Sequence, residues 1–172
     1  ASIFYVDIVS LDYNNGFDQT YKDKGFNLKI RLLEERQNLP SISIGLNDLA
    51  GTGIYSSEYI VASKKYNKFE TSVGLMWSPN ISGKSIRNPF ISINDSFRNR
   101  SLVPKDKGGS LDFNNYFSGE KVAPFFLVKY QATPNANFFI EYDPLNFPDQ
   151  YNSEKYNWDL ERKNNINYGV QI

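Results

Sequence analysis

Apolar and polar residues alternate one by one along most of this chain. A period of two places successive side chains on opposite faces of a β-strand, whereas an amphipathic helix repeats every 3.6 residues. The clearest segment is 69–77, in which aromatic and aliphatic residues take turns with small or charged ones: Phe69, Val73 and Trp77 against Glu70, Ser72 and Gly74. This segment predicts a strand with one apolar face and one polar face.

The same alternation predicts strands in seven other segments of the chain, namely 4–9, 26–32, 42–47, 58–64, 126–130, 138–142 and 166–172. Between residues 78 and 121 the pattern weakens, and short strands are predicted near 90–93 and 111–117. Because no segment has a convincing helical period, we expect less than about a tenth of the residues to be helical. We predict a single all-β domain over residues 1–172, with roughly eight to ten antiparallel strands.

The lengths of the predicted connections carry information about topology. Connections near 34–40, 66–68 and 133–136 are short, whereas those near 12–22, 48–56, 78–120 and 144–164 are longer. Following the strands up and down places all short connections at one end of the sheet and all long ones at the other. This is typical of an up-and-down outer-membrane-type β-barrel, or of a section of one.

A soluble β-sandwich remains open as an alternative, because it has the same two-residue periodicity. In a sandwich the apolar face is buried and the charged face is exposed, whereas a barrel in lipid does the opposite. Aromatic residues fit both structures, either as an interfacial girdle or as a core: Tyr59, Trp77, Phe126 and Tyr142. As a sandwich, the protein would bind carbohydrate through the aromatic loop residues Tyr151, Tyr156 and Trp158.

Composition excludes several classes of function. The chain has neither cysteine nor histidine, which excludes disulfides, thiolate catalysis, the Ser-His-Asp triad and the usual His-containing metal sites. Its 19 basic and 19 acidic side chains cancel, so charge gives no reason to expect a nucleic-acid partner. The strand pattern begins at the first residues, so we expect a mature chain or a fragment. No motif predicts a cofactor.

Paired carboxylates are the remaining route to catalysis, because glycosidases need only two of them. The pairs that lie close in sequence are Glu34 with Glu35, Asp48 with Glu58, and Glu141 with Asp143. Neighbouring carboxylates in loops are usually solvated rather than catalytic, so we expect that the protein is not an enzyme.

Two adjoining segments carry a resemblance to a known family. They are 39–48 (LPSISIGLND) and 51–64 (GTGIYSSEYIVASK), and further pieces follow in order at 88–90 (NPF), 97–100 (FRNR), 108–109 (GG), 122–126 (VAPFF) and 141–143 (EYD). The chain resembles the YjbH-like outer-membrane proteins of exopolysaccharide and capsule gene clusters. The polar and small residues of its motif loop are Asp48, Gly51, Gly53, Ser56, Ser57 and Glu58.

The resemblance implies an outer-membrane β-barrel, often a lipoprotein, that acts in polysaccharide secretion or assembly. It implies the polysaccharide, other proteins of the secretion cluster and outer-membrane lipid as partners, and it provides no catalytic residues. Family members are much longer than this chain, so we expect one section of such a protein.

In such a barrel, the residues on the polar face would line the lumen and contact the glycan. We expect these to be Asp7, Lys29, Arg31, Lys64, Glu70, Lys129 and Glu141. Their charges are of both signs, which suits a neutral or mildly charged glycan better than a phosphate. In the hairpin over 126–142, we predict that Lys129 lies directly opposite Glu141, because opposite charges favour that register.

Overall fold

A computed structural model describes residues 1–12, 19–51, 53, 55–101, 111, 113–146, 152–153, 158–159 and 164–172. The strands are β1 (Ser2–Asp12), β2 (Thr20–Leu33), β3 (Ser41–Leu49), β4 (Ser57–Tyr66), β5 (Phe69–Trp77), β6 (Ile86–Arg87), β7 (Lys121–Thr133), β8 (Ala136–Tyr142), β9 (Asn152–Ser153), β10 (Trp158–Asp159) and β11 (Ile166–Gln171). Nine of them form one antiparallel sheet in the order β1-β2-β3-β4-β5-β7-β8-β11, with β6 paired to β7. The predicted all-β class is confirmed.

Helix is limited to three short 3-10 turns in the described part of the chain, at Pro89–Ser92, Asp95–Arg98 and Phe113–Asn115. The strands predicted near 90–93 and 111–117 are therefore wrong. Asparagine side chains turn the backbone at the first two helices, because Asn88 and Asn94 each accept a backbone N–H two residues ahead, at 3.0 and 2.9 Å. None of the described helices is long and apolar enough to cross a membrane.

The connections are arranged as their lengths predict. Three tight connections, 34–40, 67–68 and 134–135, lie at one end of the sheet, which we call the short-turn end. The connections after β1, β3, β5 and β8 lie at the opposite end, which we call the long-loop end. The meander pairs β5 directly with β7, so no strand of the 78–120 connection crosses the sheet between them.

The two faces of the sheet differ sharply in character. Directly opposed residues such as Ile60 with Leu75, and Val73 with Phe126, share one face, which we call the apolar face. Much of this face is exposed: Val73 is 60%, Phe138 51% and Tyr168 84% accessible. Among the described residues the other sheet is the two-stranded pair β9–β10, whose four residues are too few to cover this face, so the sandwich alternative does not describe this arrangement.

The opposite face, which we call the polar face, is concave. Strands β2 and β8 are five steps apart along the sheet, which would separate them by about 24 Å if the sheet were flat. Nevertheless Lys29 of β2 and Glu141 of β8 both line one cavity of about 400 Å³ on this face. The sheet therefore curls around its polar face, yet it stays open, since β1 and β11 are its edges and are not paired with each other.

The register of the β7–β8 hairpin differs from the prediction. Lys129 lies opposite Phe139, not Glu141, although Lys129 and Glu141 do share the polar face. A two-residue turn at 134–135 and a bulge between Gln131 and Thr133 together produce this register, which is shifted by two residues from the predicted one. On its other side Lys129 is directly opposed to Glu70 of β5, so the opposite charge comes from the neighbouring strand that the prediction did not consider.

An aromatic core lies at the long-loop end, where residues 78–101 and 113–120 fold back onto the apolar face. We call these residues the cap. The Trp77 ring stacks on Phe90 at 5.2 Å and meets the edge of Phe117 at 5.2 Å. Trp77 is only 1% exposed, so it belongs to this core and not to an exposed girdle.

Candidate functional site

Five of the seven residues expected on the polar face do lie there: Lys29, Arg31, Glu70, Lys129 and Glu141. Lys29 and Glu141 line the same cavity. Glu70 and Lys129 lie directly opposite each other on β5 and β7. The polar face thus combines both signs of charge across four strands.

The other two residues, Asp7 and Lys64, lie on the apolar face, so their predicted placement is wrong. Asp7 lies toward the long-loop end, 4.0 Å from the ammonium of Lys22, and accepts a hydrogen bond from the Thr20 hydroxyl. Lys64 lies at the short-turn end, 3.3 Å from Glu35. A backbone N–H, followed by the Lys64 charge, lowers the pKa of Glu35. Both residues thus have an opposite charge close by, outside the central apolar band.

Glycines on the polar face are covered by aromatic rings from the neighbouring strand. In each case the glycine and the aromatic residue are directly opposed: Gly25 with Phe4, Gly45 with Tyr59, Gly74 with Phe125, and Gly169 with Phe139. A Cβ atom added at any of these glycines would overlap the ring. The arrangement is an aromatic rescue of strand glycines, in which the ring supplies the packing that glycine lacks. Tyr59 therefore lies on the polar face, not in a girdle on the apolar one.

The cavity on the polar face lies beside two of these rings. Tyr59 and Phe125 meet edge to face, with their centroids 6.1 Å apart. Ser63 and Ser72, which also line it, share a hydrogen bond of 2.8 Å between their hydroxyls. The Tyr59 hydroxyl can both donate and accept a hydrogen bond. The cavity thus combines aromatic surface with neutral polar groups.

The motif loop is organised by the Asp48 side chain. One carboxylate oxygen accepts the backbone N–H groups of Gly53 and Tyr55, at 2.9 and 3.2 Å. Burial, reinforced by the negative charge of Asp23, raises the pKa of Asp48 to about 7, although the two N–H groups lower it. The carboxyl group is therefore only partly ionised at neutral pH.

Glycine is required at two positions of the motif loop for different structural reasons. A Cβ atom at position 51 would overlap the Asp48 carboxylate, so Gly51 allows this side chain to fold over the loop. Gly53 has a φ of +89°, a conformation that side chains disfavour. Both glycines therefore serve the geometry around Asp48.

Glu58 of the motif loop forms a buried ion pair with Arg100 of the cap. The two guanidinium nitrogens of Arg100 donate to the two carboxylate oxygens at 2.7 and 2.9 Å, and the Phe117 backbone N–H adds a bond of 2.9 Å. The side chains of Arg100 and Glu58 are 6% and 1% exposed. Arg100 also donates to the Ser56 hydroxyl at 3.1 Å, while Ser57 accepts the Asn47 side-chain amide at 2.9 Å. These motif residues join the cap to the sheet.

Asn88 holds the cap together from within, a role that was not predicted from the sequence. Its side-chain amide donates to the carbonyl oxygens of Phe117 and Gly119, both at 2.9 Å, while its oxygen accepts the Phe90 N–H. Like Arg100, it lies in a segment that contributes to the resemblance, at 88–90. Its partners lie about 30 residues away in sequence, so the chain offers no local signal for the role.

Five of the six carboxylates of the candidate pairs, all except Glu34, have partners in the described part of the chain. Glu58 pairs with Arg100, Glu35 lies beside Lys64, and Glu141 accepts the Asn167 side-chain amide at 3.1 Å. In the described part of the chain, no group of three or more acidic side chains gathers in a way that could hold a metal ion. The geometry of these residues favours holding the fold and presenting polar groups on its concave face.

Comparison with known proteins identifies the family. The family model described as "Exopolysaccharide biosynthesis protein YbjH" matches residues 1–172, the whole chain. The chain belongs to the YjbH family. One YjbH relative, from Escherichia coli strain K12 and named "Uncharacterized lipoprotein YjbH", is 35% identical over 178 residues, which cover 99% of this chain. The chain spans about a quarter of that relative, since the match covers 24% of its length. No solved structure matches.

Proposed function

We propose that this chain is a section of an outer-membrane β-barrel whose apolar face contacts lipid and whose polar face lines the lumen. In this proposal it acts without catalysis in the secretion or assembly of an exopolysaccharide. The observation that carries the proposal is the uncovered apolar face, because water-soluble sheets bury such a face and leave the charged one exposed. Here the exposed face is apolar and the concave face is polar.

Strand length supports a location in the membrane. Six of the eight strands along the meander are long enough: β1, β2, β3, β4, β5 and β7 have 11, 14, 9, 10, 9 and 13 residues, whereas β8 and β11 have 7 and 6. About 9–11 residues are needed for a tilted strand to cross the hydrocarbon core of a bilayer. On the apolar face, Asp7 and Lys64 lie toward opposite ends of the sheet beside opposite charges, which leaves an apolar band between them.

The role in exopolysaccharide secretion is supported by membership of the YjbH family. The lipoprotein name of the Escherichia coli relative supports a membrane location for the protein that carries this chain. In the longer protein, further strands would pair with the open edges β1 and β11 and complete the barrel. We propose the polysaccharide, outer-membrane lipid and other secretion proteins as its partners.

Fluorescent labelling of two adjacent residues tests the orientation of the sheet. Val73 and Ser72 lie next to each other on β5 but on opposite faces, and this chain contains no cysteine. Val73→Cys and Ser72→Cys are each introduced into the full-length protein, labelled with bimane and reconstituted in bilayers. Brominated lipids should quench the label at position 73 and leave the label at position 72 bright. Equal quenching at both positions, or quenching only at position 72, would contradict the proposed orientation.

The absence of catalysis has its own test. The full-length protein is incubated with exopolysaccharide purified from the same cells, and the reducing ends and chain length are measured over time. We expect both to stay constant. A rise in reducing ends that is lost in the Glu141→Gln variant would show that the protein is a hydrolase.

A further inference from the structure

The cavity of the polar face has the size and composition of a small-molecule site. Its volume of about 400 Å³ lies within the usual range of roughly 300–1,000 Å³. Its lining includes aromatic rings (Tyr59, Phe125), hydroxyls (Ser63, Ser72) and charges of opposite sign (Lys29, Glu141), together with aliphatic side chains and a second acid, Asp143. Five strands contribute to this lining, so the curvature of the sheet is what brings these groups together.

The two aromatic rings are held in place before any ligand arrives. Tyr59 occupies the space above Gly45, and Phe125 occupies the space above Gly74. Their edge-to-face contact further restricts both rings. Because the rings are already ordered, a ligand that stacks on them would lose little affinity to side-chain ordering.

The polar groups of the cavity offer both donors and acceptors. Lys29 has no hydrogen bond or ion pair to any described residue and is exposed, so its ammonium is available as a donor. One oxygen of Glu141 accepts the Asn167 amide, and the carboxylate retains capacity to accept more. A ligand with many hydroxyl groups satisfies this mixture, because each hydroxyl both donates and accepts. A carboxylate ligand would be disfavoured, because two acids of the lining, Glu141 and Asp143, face one cation, Lys29.

We infer that this cavity is a subsite for the pyranose ring of a neutral saccharide. The apolar C–H face of the sugar stacks on the face of one ring of the perpendicular Tyr59–Phe125 pair and borders the other, since positively polarised C–H groups favour the negative face of an aromatic ring. The sugar hydroxyls bond to Lys29 and Glu141. The inference rests on the proposed function, because it assigns the saccharide contact to one place on the polar face.

Saccharide titrations of the full-length protein in nanodiscs test the inference. The probes are maltohexaose, cellohexaose and mannohexaose, with hexagalacturonate as the acidic counterpart, and binding is followed by saturation-transfer NMR. We expect at least one neutral hexasaccharide to bind more tightly than hexagalacturonate. Lys29→Ala should weaken that binding at least fivefold. Arg31→Ala should leave it unchanged, because Arg31 is also an exposed cation on the polar face of β2 but does not line the cavity.

A second pair of variants separates binding from stability. Tyr59→Ala should weaken binding of the same probe at least tenfold. Phe139→Ala removes a ring that covers a glycine in the same way but lies outside the cavity lining, so it should change binding less than twofold. Tyr59→Phe keeps the ring over Gly45 and should retain most of the affinity, which attributes the loss in Tyr59→Ala to the ring rather than to the hydroxyl.

The inference is overturned if no neutral probe binds, if hexagalacturonate binds more tightly, or if both members of either variant pair have equal effects. These outcomes are distinct from a failure of the proposed function. If brominated lipid quenches the label at position 73 while no neutral probe binds, the membrane orientation stands and the saccharide site falls. If no lipid quenching occurs but a probe binds through Lys29 and Tyr59, the barrel proposal falls and the saccharide site stands.

Discussion

Replacement of Arg100 by alanine should release the cap from the sheet. Arg100 is the partner of Glu58, and both side chains are buried where water cannot replace a lost hydrogen bond. The substitution removes two bonds to the Glu58 carboxylate, at 2.7 and 2.9 Å, and one to the Ser56 hydroxyl. The buried Glu58 carboxylate then keeps the hydrogen bond from the Phe117 backbone N–H.

The size of the effect follows from this loss. Removal of one member of a buried ion pair typically costs about 3–5 kcal/mol, because the other charge stays behind without its partner. Two hydrogen bonds to a charged group, at about 1.5–3 kcal/mol each, lead to a similar figure. A loss of this size corresponds to an increase in the local opening of the cap of between about a hundredfold and a few thousandfold.

Hydrogen exchange followed by mass spectrometry measures this opening in the full-length protein. The reporter amides are hydrogen-bonded within the cap: Asn88 to Glu120, Ile93 to Phe90, and Gly119 to Phe97, each at 2.9 Å. Their exchange should accelerate in Arg100→Ala, while the amides of β4 and β5 keep most of their protection. Arg98→Ala is the matched control, since Arg98 lies in the same segment but pairs with Asp95 at an exposed position.

Restoring charge balance provides the decisive comparison. The double variant Arg100→Met with Glu58→Gln leaves no uncompensated charge, so it should recover part of the protection that Arg100→Met alone loses. If Arg100→Ala exchanges at the native rate, the ion pair does not hold the cap. If Arg98→Ala accelerates exchange equally, a general effect of charge removal explains the result.

Three further outcomes are expected. Because the folded-state pKa of Asp48, about 7, lies above its ordinary value of 3.8, the hydrogen-exchange protection of the motif loop should fall as the pH rises from about 4 to about 7 and then level off. Asp48→Asn should flatten this profile after correction for intrinsic exchange. A rise in protection over that pH range would contradict the assignment. Gly45→Ala places a Cβ in the Tyr59 ring and should lower the denaturation midpoint by the equivalent of about 1–3 kcal/mol, with recovery when Tyr59→Ser is added; an unchanged midpoint would show that the ring moves freely. Val73→Lys should reduce assembly in the outer membrane, because a Lys in the lipid midplane costs about 2–4 kcal/mol. Ser72→Lys should leave assembly unchanged, and equal assembly of the two variants in cell fractionation would argue against lipid contact at Val73.

Local alternation predicted most of the fold because each strand needs only its own residues to define two faces. The strand over 69–77 and the two ends of the sheet follow directly from this pattern. The register of β7 against β8 did not, because Lys129 has a neighbour on each side and its opposed charge, Glu70, belongs to β5. Prediction from one hairpin alone could not weigh the two neighbours against each other.

The candidate site was less accessible to sequence reasoning. The Glu58–Arg100 pair joins residues 42 positions apart, and neither residue carries a local sign of being buried. Segment 90–93 resembles a short strand because its apolar residues are adjacent. The Asn88 side chain turns the backbone here instead, and it is held in place by distant carbonyl groups. Asp7 and Lys64 are polar residues on an apolar face, and only the paired strands reveal which face each one occupies.

The pairing of glycines with aromatic rings across strands has a consequence for how this family evolves. A larger residue at position 45 is excluded while Tyr59 occupies the space above it, and a small residue at position 59 would leave an empty space above Gly45. Neither position can therefore drift alone without loss of stability. Over generations, such pairs should be inherited and exchanged together, so YjbH sequences that lose the glycine at one strand should also lose the ring at its neighbour.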